Sequence, residues 1–186
     1  MGLVSAFAAV VGSASSVRSG WARPVDAAAR SFASALRTPE RDAFVRVATD
    51  LGSLYAVGAV SGAFLVLGRP RRAADVALAG SAAWSAAQVA KRTLPRERPY
   101  QVAAAERLVP VPSGSSWPSG HAAVAIAMAH VLGARRGILV RGLLSTTARL
   151  VGLSRIYVGV HHLSDVVAGH GLGVITARVI GLVRRR

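Results

Sequence analysis

Residues 151–169 read VGLSRIYVGVHHLSDVVAG and set Ser154 and Arg155, then His161, then Asp165, at the mouth of an otherwise apolar run. A membrane-type helix carries ionisable groups only at a cost in desolvation, so a guanidinium, an imidazole and a carboxylate gathered here mark a candidate site.

The rest of the chain sets the medium in which that site works. Its 186 residues have room for one domain, and 52% of them are hydrophobic, with a mean hydropathy of +0.43. An ordinary soluble domain is roughly 45–50% apolar even when glycine is counted, so a membrane class is favoured. Without cysteine there is no disulfide, no thiolate chemistry and no sulfur-based metal site. The net charge of +15 suits either nucleic acid or an anionic membrane. Because the arginines are scattered among apolar runs, without the interleaved aromatics that read bases, no nucleic-acid partner is expected. Lipid headgroups and phosphates are the expected partners. No fixed-period repeat is present.

Two segments are expected, residues 1–50 and 51–186. Residues 1–16 contain a short apolar stretch with no basic leader, a poor signal peptide and short for a span. From Arg18 to Asp50 apolar positions such as Val25, Phe32, Phe44 and Val47 alternate with arginines at helical spacing. Thr38-Pro39-Glu40 reads as a helix start, with Thr38 as cap and Pro39 at the first helical position. Two amphipathic helices lying in the membrane interface follow, with Trp21 as a headgroup-level anchor. Five hydrophobic segments come next, at about 51–68, 73–90, 118–133, 138–153 and 163–183. Their small residues permit close backbone approach, as in helices packed within lipid. The expected architecture is all-α, a polytopic transmembrane bundle of about five spans.

Alternating those spans puts Arg69, Arg71, Arg72, Arg135, Arg136 and Arg184 to Arg186 on one side, the cytoplasmic one by the positive-inside rule. Residues 91–99, 116–121 and 154–165 then meet at the opposite, extracytoplasmic face of the plasma membrane. Lys91, Arg92, Arg96 and Arg98 break the rule there, and a phosphate would account for them.

Lys91, six residues, then Arg98-Pro99; Pro118-Ser119-Gly120-His121; and Ser154-Arg155, five residues, His161, three residues, Asp165 together resemble the three-part signature of the type 2 phosphatidic acid phosphatase family, whose fold is shared with vanadium haloperoxidases. All three parts match in order and spacing. The resemblance implies a lipid phosphatase/haloperoxidase-like core, with phosphate held by Lys91, Arg98, Ser119, Gly120 and Arg155. It implies His161 as nucleophile, His121 as general acid and base, Asp165 as the group that orients His161, and neither metal nor cofactor. Family members of this membrane type usually have six helices, and the first is expected to be missing or degenerate here. The substrates implied are a phospholipid or polyprenyl phosphate: phosphatidate, phosphatidylglycerol phosphate, a polyprenyl diphosphate or decaprenylphosphoryl-phosphoribose.

The residue chemistry agrees with those roles. Phosphoryl transfer spreads charge over equatorial oxygens, which the planar fork of arginine matches and the point charge of lysine supplements. Ser119 and Gly120 stand where a helix begins, and free N–H groups at helix starts bind anions. Asp165 lies one helical turn beyond His161. Taken singly, Arg98 and Arg155 read as headgroup anchors, and His161 with Asp165 as a structural pair. It is their joint order that favours chemistry. His162, rotated about 100° from His161 on a helix, reads as a lining residue, and His130 and His170 as packing groups. Arg149 is placed to pair with Asp165 or to snorkel. In the proline-rich connection from Thr93 to Trp117, Tyr100, Leu108, Val109 and Trp117 are placed to touch a lipid near its headgroup. Two other functions remain open: a vanadate-dependent haloperoxidase, disfavoured by the short apolar chain, and a non-catalytic lipid binder, disfavoured because every reactive group is present.

Overall fold

The structure, a computed structural model, describes residues 1–103 and 106–183. The arginines at 184–186, expected on the basic side, lie outside them. The described residues form nine α-helices and no strand: α1 (Leu3–Ser19), α2 (Arg23–Ala35), α3 (Pro39–Ala48), α4 (Leu54–Val66), α5 (Pro70–Ala90), the single-turn α6 (Pro99–Val102), α7 (Gly120–Gly133), α8 (Ile138–Tyr157) and α9 (Leu163–Val183). A 3₁₀ turn, Thr49–Gly52, joins α3 to α4. The five hydrophobic segments of the sequence correspond to α4, α5, α7, α8 and α9.

Local chemistry explains where these helices start. Thr38 caps α3 by accepting from Arg41 N at 3.3 Å, with Pro39 next, Ser53 caps α4 from Ala56 N at 3.2 Å, and Ser119 caps α7 from Ala122 N at 3.4 Å. Each hydroxyl satisfies a backbone donor that the first helical turn leaves free.

The core is built from small side chains. Nearly all of α7 is buried, and α5, α8 and α9 surround it. Ala79, Ala83, Ala123, Ala127 and Ala177 form one packed cluster, whereas Val66, Ile138, Leu139, Leu143, Leu150, Val179 and Leu182 are exposed. Small residues inward and large apolar ones outward is the arrangement of a bundle whose solvent is lipid, where close backbone packing replaces the hydrophobic drive. At Gly171 on α9, a Cβ would lie 2.6 Å from Ala6 O of α1. Only glycine lets those two helices approach so closely.

That contact corrects the expectation of a missing or degenerate first helix. α1 is a regular 17-residue helix packed along α9. Serines at 5, 13, 15 and 16 dilute its apolar character, but its partner face is the alanine and valine row Ala6, Ala9 and Val10. α2 lies against α8 and α9, and α3 against α8, joined by Tyr157 Oη donating to Asp42 at 2.7 Å and Arg37 Nη2 donating to Tyr157 O at 2.8 Å. Their large apolar residues, Val25, Phe32, Phe44 and Val47, point away from the bundle with Trp21.

Among the described residues, α9 is the one helix that is by length and composition able to cross a bilayer unaided. The α3–3₁₀ segment with α4 passes the same test as a pair bent by 67°, and α1 and α7 are apolar but shorter. Arginines at 71, 72, 141, 149 and 155 dilute α5 and α8.

Candidate functional site

One end of the bundle collects the residues singled out in the sequence. Lys91 follows the last turn of α5, Arg98 precedes α6, Ser119 to His121 open α7, Arg155 closes α8, His161 lies in the α8–α9 connection, and Asp165 is in the first turn of α9. Lys91, Arg98, Arg155 and His161 all act electrostatically on His121, so the three sequence blocks converge on one centre.

Arg98 is the best-held cation, at 1% exposure. Its Nη1 donates to Val160 O at 2.9 Å and stands 3.4 Å from His161 Nε2. Its Nη2 donates to Ser113 O at 3.0 Å, with Gly114 and Ser115 carbonyls at 3.3 and 3.2 Å. Lys91 Nζ donates to Ser115 O at 2.8 Å. Burial lowers the Lys91 pKa from 10.5 to about 8, reinforced by the Arg98 charge, and burial likewise lowers that of Arg98. Both cations donate to the Ser115 carbonyl, so two like charges stand together and each disfavours the other's charged form.

Arg155 is also buried, its Nη1 donating to Thr49 Oγ1 in the 3₁₀ turn at 2.7 Å. Its carbonyl accepts from the backbone N–H of both Val160 and His161 at 3.2 Å, which fixes the start of the α8–α9 connection. The Nε atoms of Arg98 and Arg155 are buried without a hydrogen-bond partner. Such donors are costly unless something accepts from them. At α7, Ser119 N donates to Asp165 O at 3.0 Å, and Gly120 lies under the Trp84 ring, 3.2 Å from where a Cβ would stand. The Trp84 ring also meets His121 edge-on, centroids 6.0 Å apart.

His161 and Asp165 are 3% and 0% exposed. Their closest polar atoms, Nδ1 and Oδ2, are 3.5 Å apart, just beyond hydrogen-bond length. With Nε2 facing the Arg98 donor, the acceptor tautomer at Nε2 leaves the proton on Nδ1, toward the carboxylate. Asp165 Oδ2 also accepts from Ser116 Oγ at 2.6 Å and His162 N at 2.8 Å, the latter being the reach of a third helical residue back to the cap. His162 sends its ring Nε2 to Glu97 O at 3.2 Å, away from His161.

Several participants were not assigned from sequence. The cation on Asp165 is Arg96, whose Nη1 meets Oδ1; of the two roles open to Arg149, pairing with Asp165 falls away, because Arg149 is exposed on α8. Asp26 of α2, Ser116 and Thr49 complete the supporting shell. Leu108 and Trp117, expected near a lipid headgroup, are buried, with Trp117 Nε1 donating to Ser13 Oγ at 3.1 Å. The only signal for Asp26 was its rarity, one of eight acidic residues in a chain of 23 basic ones. Among the described residues no three of His, Asp and Glu are grouped as a metal ion requires.

Residues 72–186 match the family model of the PAP2 superfamily. The decaprenylphosphoryl-5-phosphoribose phosphatases of two Mycobacterium tuberculosis strains (CDC 1551 / Oshkosh and ATCC 25618 / H37Rv) are 36% identical over 117 residues, 61% of this chain. The match spans 64% of the length of those relatives. Among solved structures, the first transmembrane PAP2 type phosphatidylglycerolphosphate phosphatase from Bacillus subtilis superposes with a TM-score of 0.82 at 22% identity, covering 98% of this chain and 96% of that one. Aquifex aeolicus LpxE superposes at 0.73 and 27% identity, covering 82% and 92%. The whole length of α1 to α9 therefore follows the fold of a membrane phosphatase, including the N-terminal helices that the family model does not reach.

The buried imidazole makes a testable statement about stability. Burial lowers the His161 pKa from 6.5 to about 3, against the opposing pull of Asp165. Above pH 6.5 the ring is neutral folded or unfolded; between there and pH 3 only the unfolded chain takes up the proton, so stability falls as pH falls. The thermal midpoint in detergent should drop from pH 7 to pH 4, and His161→Gln should flatten that slope by up to about 1.4 kcal/mol per pH unit.

Proposed function

The chain belongs to the PAP2 superfamily, and on that footing we propose that it is an integral-membrane lipid phosphatase acting on a lipid phosphomonoester or diphosphate through a phosphohistidine. The observation that carries this reading is the pair of buried, unpartnered Nε donors on Arg98 and Arg155 beside the neutral, buried ring of His161. Donors so placed await an anion, and a neutral imidazole next to them is a nucleophile.

The phosphoryl oxygens lie against Arg98, Arg155 and Lys91, the Ser119 hydroxyl and the N–H of Gly120 at the start of α7, which take up the charge that spreads over them in the transition state. His161 Nε2 attacks phosphorus; the N–P bond forms as the P–O bond to the lipid breaks, and His121 gives its proton to the departing oxygen. His121 then removes a proton from water, whose oxygen displaces His161 and releases inorganic phosphate. Asp165 faces Nδ1–H throughout and stabilises the charge the ring acquires, as the carboxylate of a triad does. Ester and water are consumed, alcohol and phosphate produced, and the residues return to their starting protonation. This scheme uses neither metal nor cofactor.

About five spans cross the plasma membrane, with α2 and α3 in the interface. The basic turns at 69–72 and 134–137 lie at the opposite end of the helices from His161, so the positive-inside rule puts the chemistry on the extracytoplasmic face. The substrate is a phospholipid or polyprenyl phosphate. The 36% identity to decaprenylphosphoryl-5-phosphoribose phosphatases favours a polyprenylphosphoryl sugar phosphate as the specific substrate. Within residues 1–50, α2 and α3 serve as the interfacial segment while α1 packs along α9, and 51–186 carry the phosphatase chemistry.

Detergent-purified protein should release phosphate from at least one of phosphatidate, phosphatidylglycerol phosphate, a polyprenyl diphosphate and decaprenylphosphoryl-phosphoribose, with no loss in the presence of a chelator. His161→Ala should abolish release, and His121→Ala should lower kcat by roughly 10²–10⁴-fold; full activity in His161→Ala contradicts the mechanism. For sidedness, a single cysteine at Ser113 should react with a membrane-impermeant thiol reagent in intact cells, and one at Arg136 only after permeabilisation.

A further inference from the structure

Behind the His161–Asp165 pair lies a second charged layer that the mechanism does not use. Arg96 bridges two carboxylates. Its Nη2 donates to Asp26 Oδ2 at 2.6 Å, and its Nη1 meets Asp165 Oδ1 and also donates to Ser164 Oγ at 2.7 Å. The Ser164 hydroxyl passes its own proton to Asp26 Oδ2 at 2.8 Å, and Ser164 N donates to Asp26 Oδ1 at 2.9 Å. Asp26 is 3% exposed and the Arg96 side chain 13%, so the chain of charges is sheltered from water.

We propose that Asp26 and Arg96 are positioning residues for the nucleophile: Asp26 anchors Arg96, Arg96 holds and neutralises Asp165, and Asp165 keeps the His161 ring aimed at phosphorus. The proposal rests on the phosphatase reading of the site. It extends the working site to α2, outside the residues 72–186 that match the family model.

Docking of α2 alone does not explain the arrangement. Asp26 already joins α2 to α9 through its two bonds from Ser164, and the Arg96 fork adds the link to the carboxylate facing the imidazole. Asp165 Oδ2 is shared by Ser116 and His162 N and Oδ1 is taken by Arg96, so the carboxylate has no freedom to turn. The charge matters as much as the aim. His161 is faced by Asp165 from α9, Arg155 from α8, Arg98 from the 91–119 connection and His121 from α7. Asp165 is the one anion of that set. If Arg96 did not neutralise it, its full charge would act on a ring 3.5 Å away and favour the imidazolium, which has no lone pair for attack.

The test compares Asp26→Asn, Arg96→Gln, Arg96→Lys and the double variant Asp26→Asn/Arg96→Gln with wild type, each confirmed folded by its elution and thermal midpoint. The readout is phosphate release from whichever lipid of the panel above the wild type hydrolyses, followed from pH 5 to 9. Asp26→Asn and Arg96→Gln should each lower kcat by roughly 10- to 100-fold, the cost of a misplaced reacting group, with little change in KM. Arg96→Gln should also move the acid limb of kcat/KM to higher pH, Arg96→Lys should return the limb while recovering only part of kcat, and the double variant should be no worse than Arg96→Gln, as for residues acting as one unit. Unchanged kcat and pH profile in the single variants, or losses that add in the double variant with the acid limb fixed, would overturn the proposal. If Arg96→Gln does not fold, Asp26→Asn and Arg96→Lys decide it by the same kcat and pH readouts. A wild type silent on every lipid overturns the phosphatase reading and this proposal with it; turnover by wild type with unaltered variants overturns this proposal alone.

Discussion

Burying charge in a bundle of alanine and glycine is the constraint from which the rest of this structure follows. Arg98, Arg155 and Asp165 are each under 5% exposed, and a buried ion without a partner costs several kcal/mol. Each therefore recruits partners from distant parts of the chain. Asp165 draws on Arg96, Ser116 and the His162 N–H, Arg98 on the carbonyls of 113–115 and 160, and Arg155 on Thr49. These obligations hold residues 96–98 and 113–116 over the end of the bundle and tie the 3₁₀ turn and α2 to it. Among the buried polar atoms of the described residues that lack a hydrogen-bond partner, the Nε atoms of Arg98 and Arg155 and the Nδ1 atoms of His161 and His162 lie at this end of the bundle.

Small side chains make this economy possible. Gly169 and Gly173 of α9 lie against the backbone carbonyls of Ser119 and Ala123 in α7, so that the two helices meet without intervening side chains. That approach sets the first turn of α9, with Asp165, against the first turn of α7, with Ser119 and His121. The outward-facing leucines, valines and isoleucines take no part in the site; they present the bundle to lipid.

Much of this was legible in the sequence, and the part that was not has a physical reason. Helix positions follow from runs of apolar residues and from Thr38, Ser53 and Ser119 as caps, all local signals. The spacing of Lys91, Arg98, His121, Arg155, His161 and Asp165 gave a family resemblance that the comparisons bear out, and the structure gathers these residues at one end. Asp26 and Thr49 escaped, and Arg96 reads in the sequence as one of four cations that a phosphate would account for rather than as the partner of two carboxylates, because these pairings lie 70, 106 and 69 residues apart, which no local pattern encodes. The first helix escaped for a related reason. Its serines lower its hydropathy, and what holds it is the absence of a side chain at Gly171 on another helix.

The central claim is that His161 itself carries the phosphoryl group. It is tested most directly by mixing protein with a lipid substrate labelled in the scissile phosphate, quenching in alkali within the first turnover, and locating the label by peptide mass spectrometry. Acid-labile, alkali-stable phosphate on His161 is the predicted result, and none should form in His161→Gln. Label on another residue, or turnover by wild type with no covalent phosphate under conditions that preserve phosphohistidine, would contradict it.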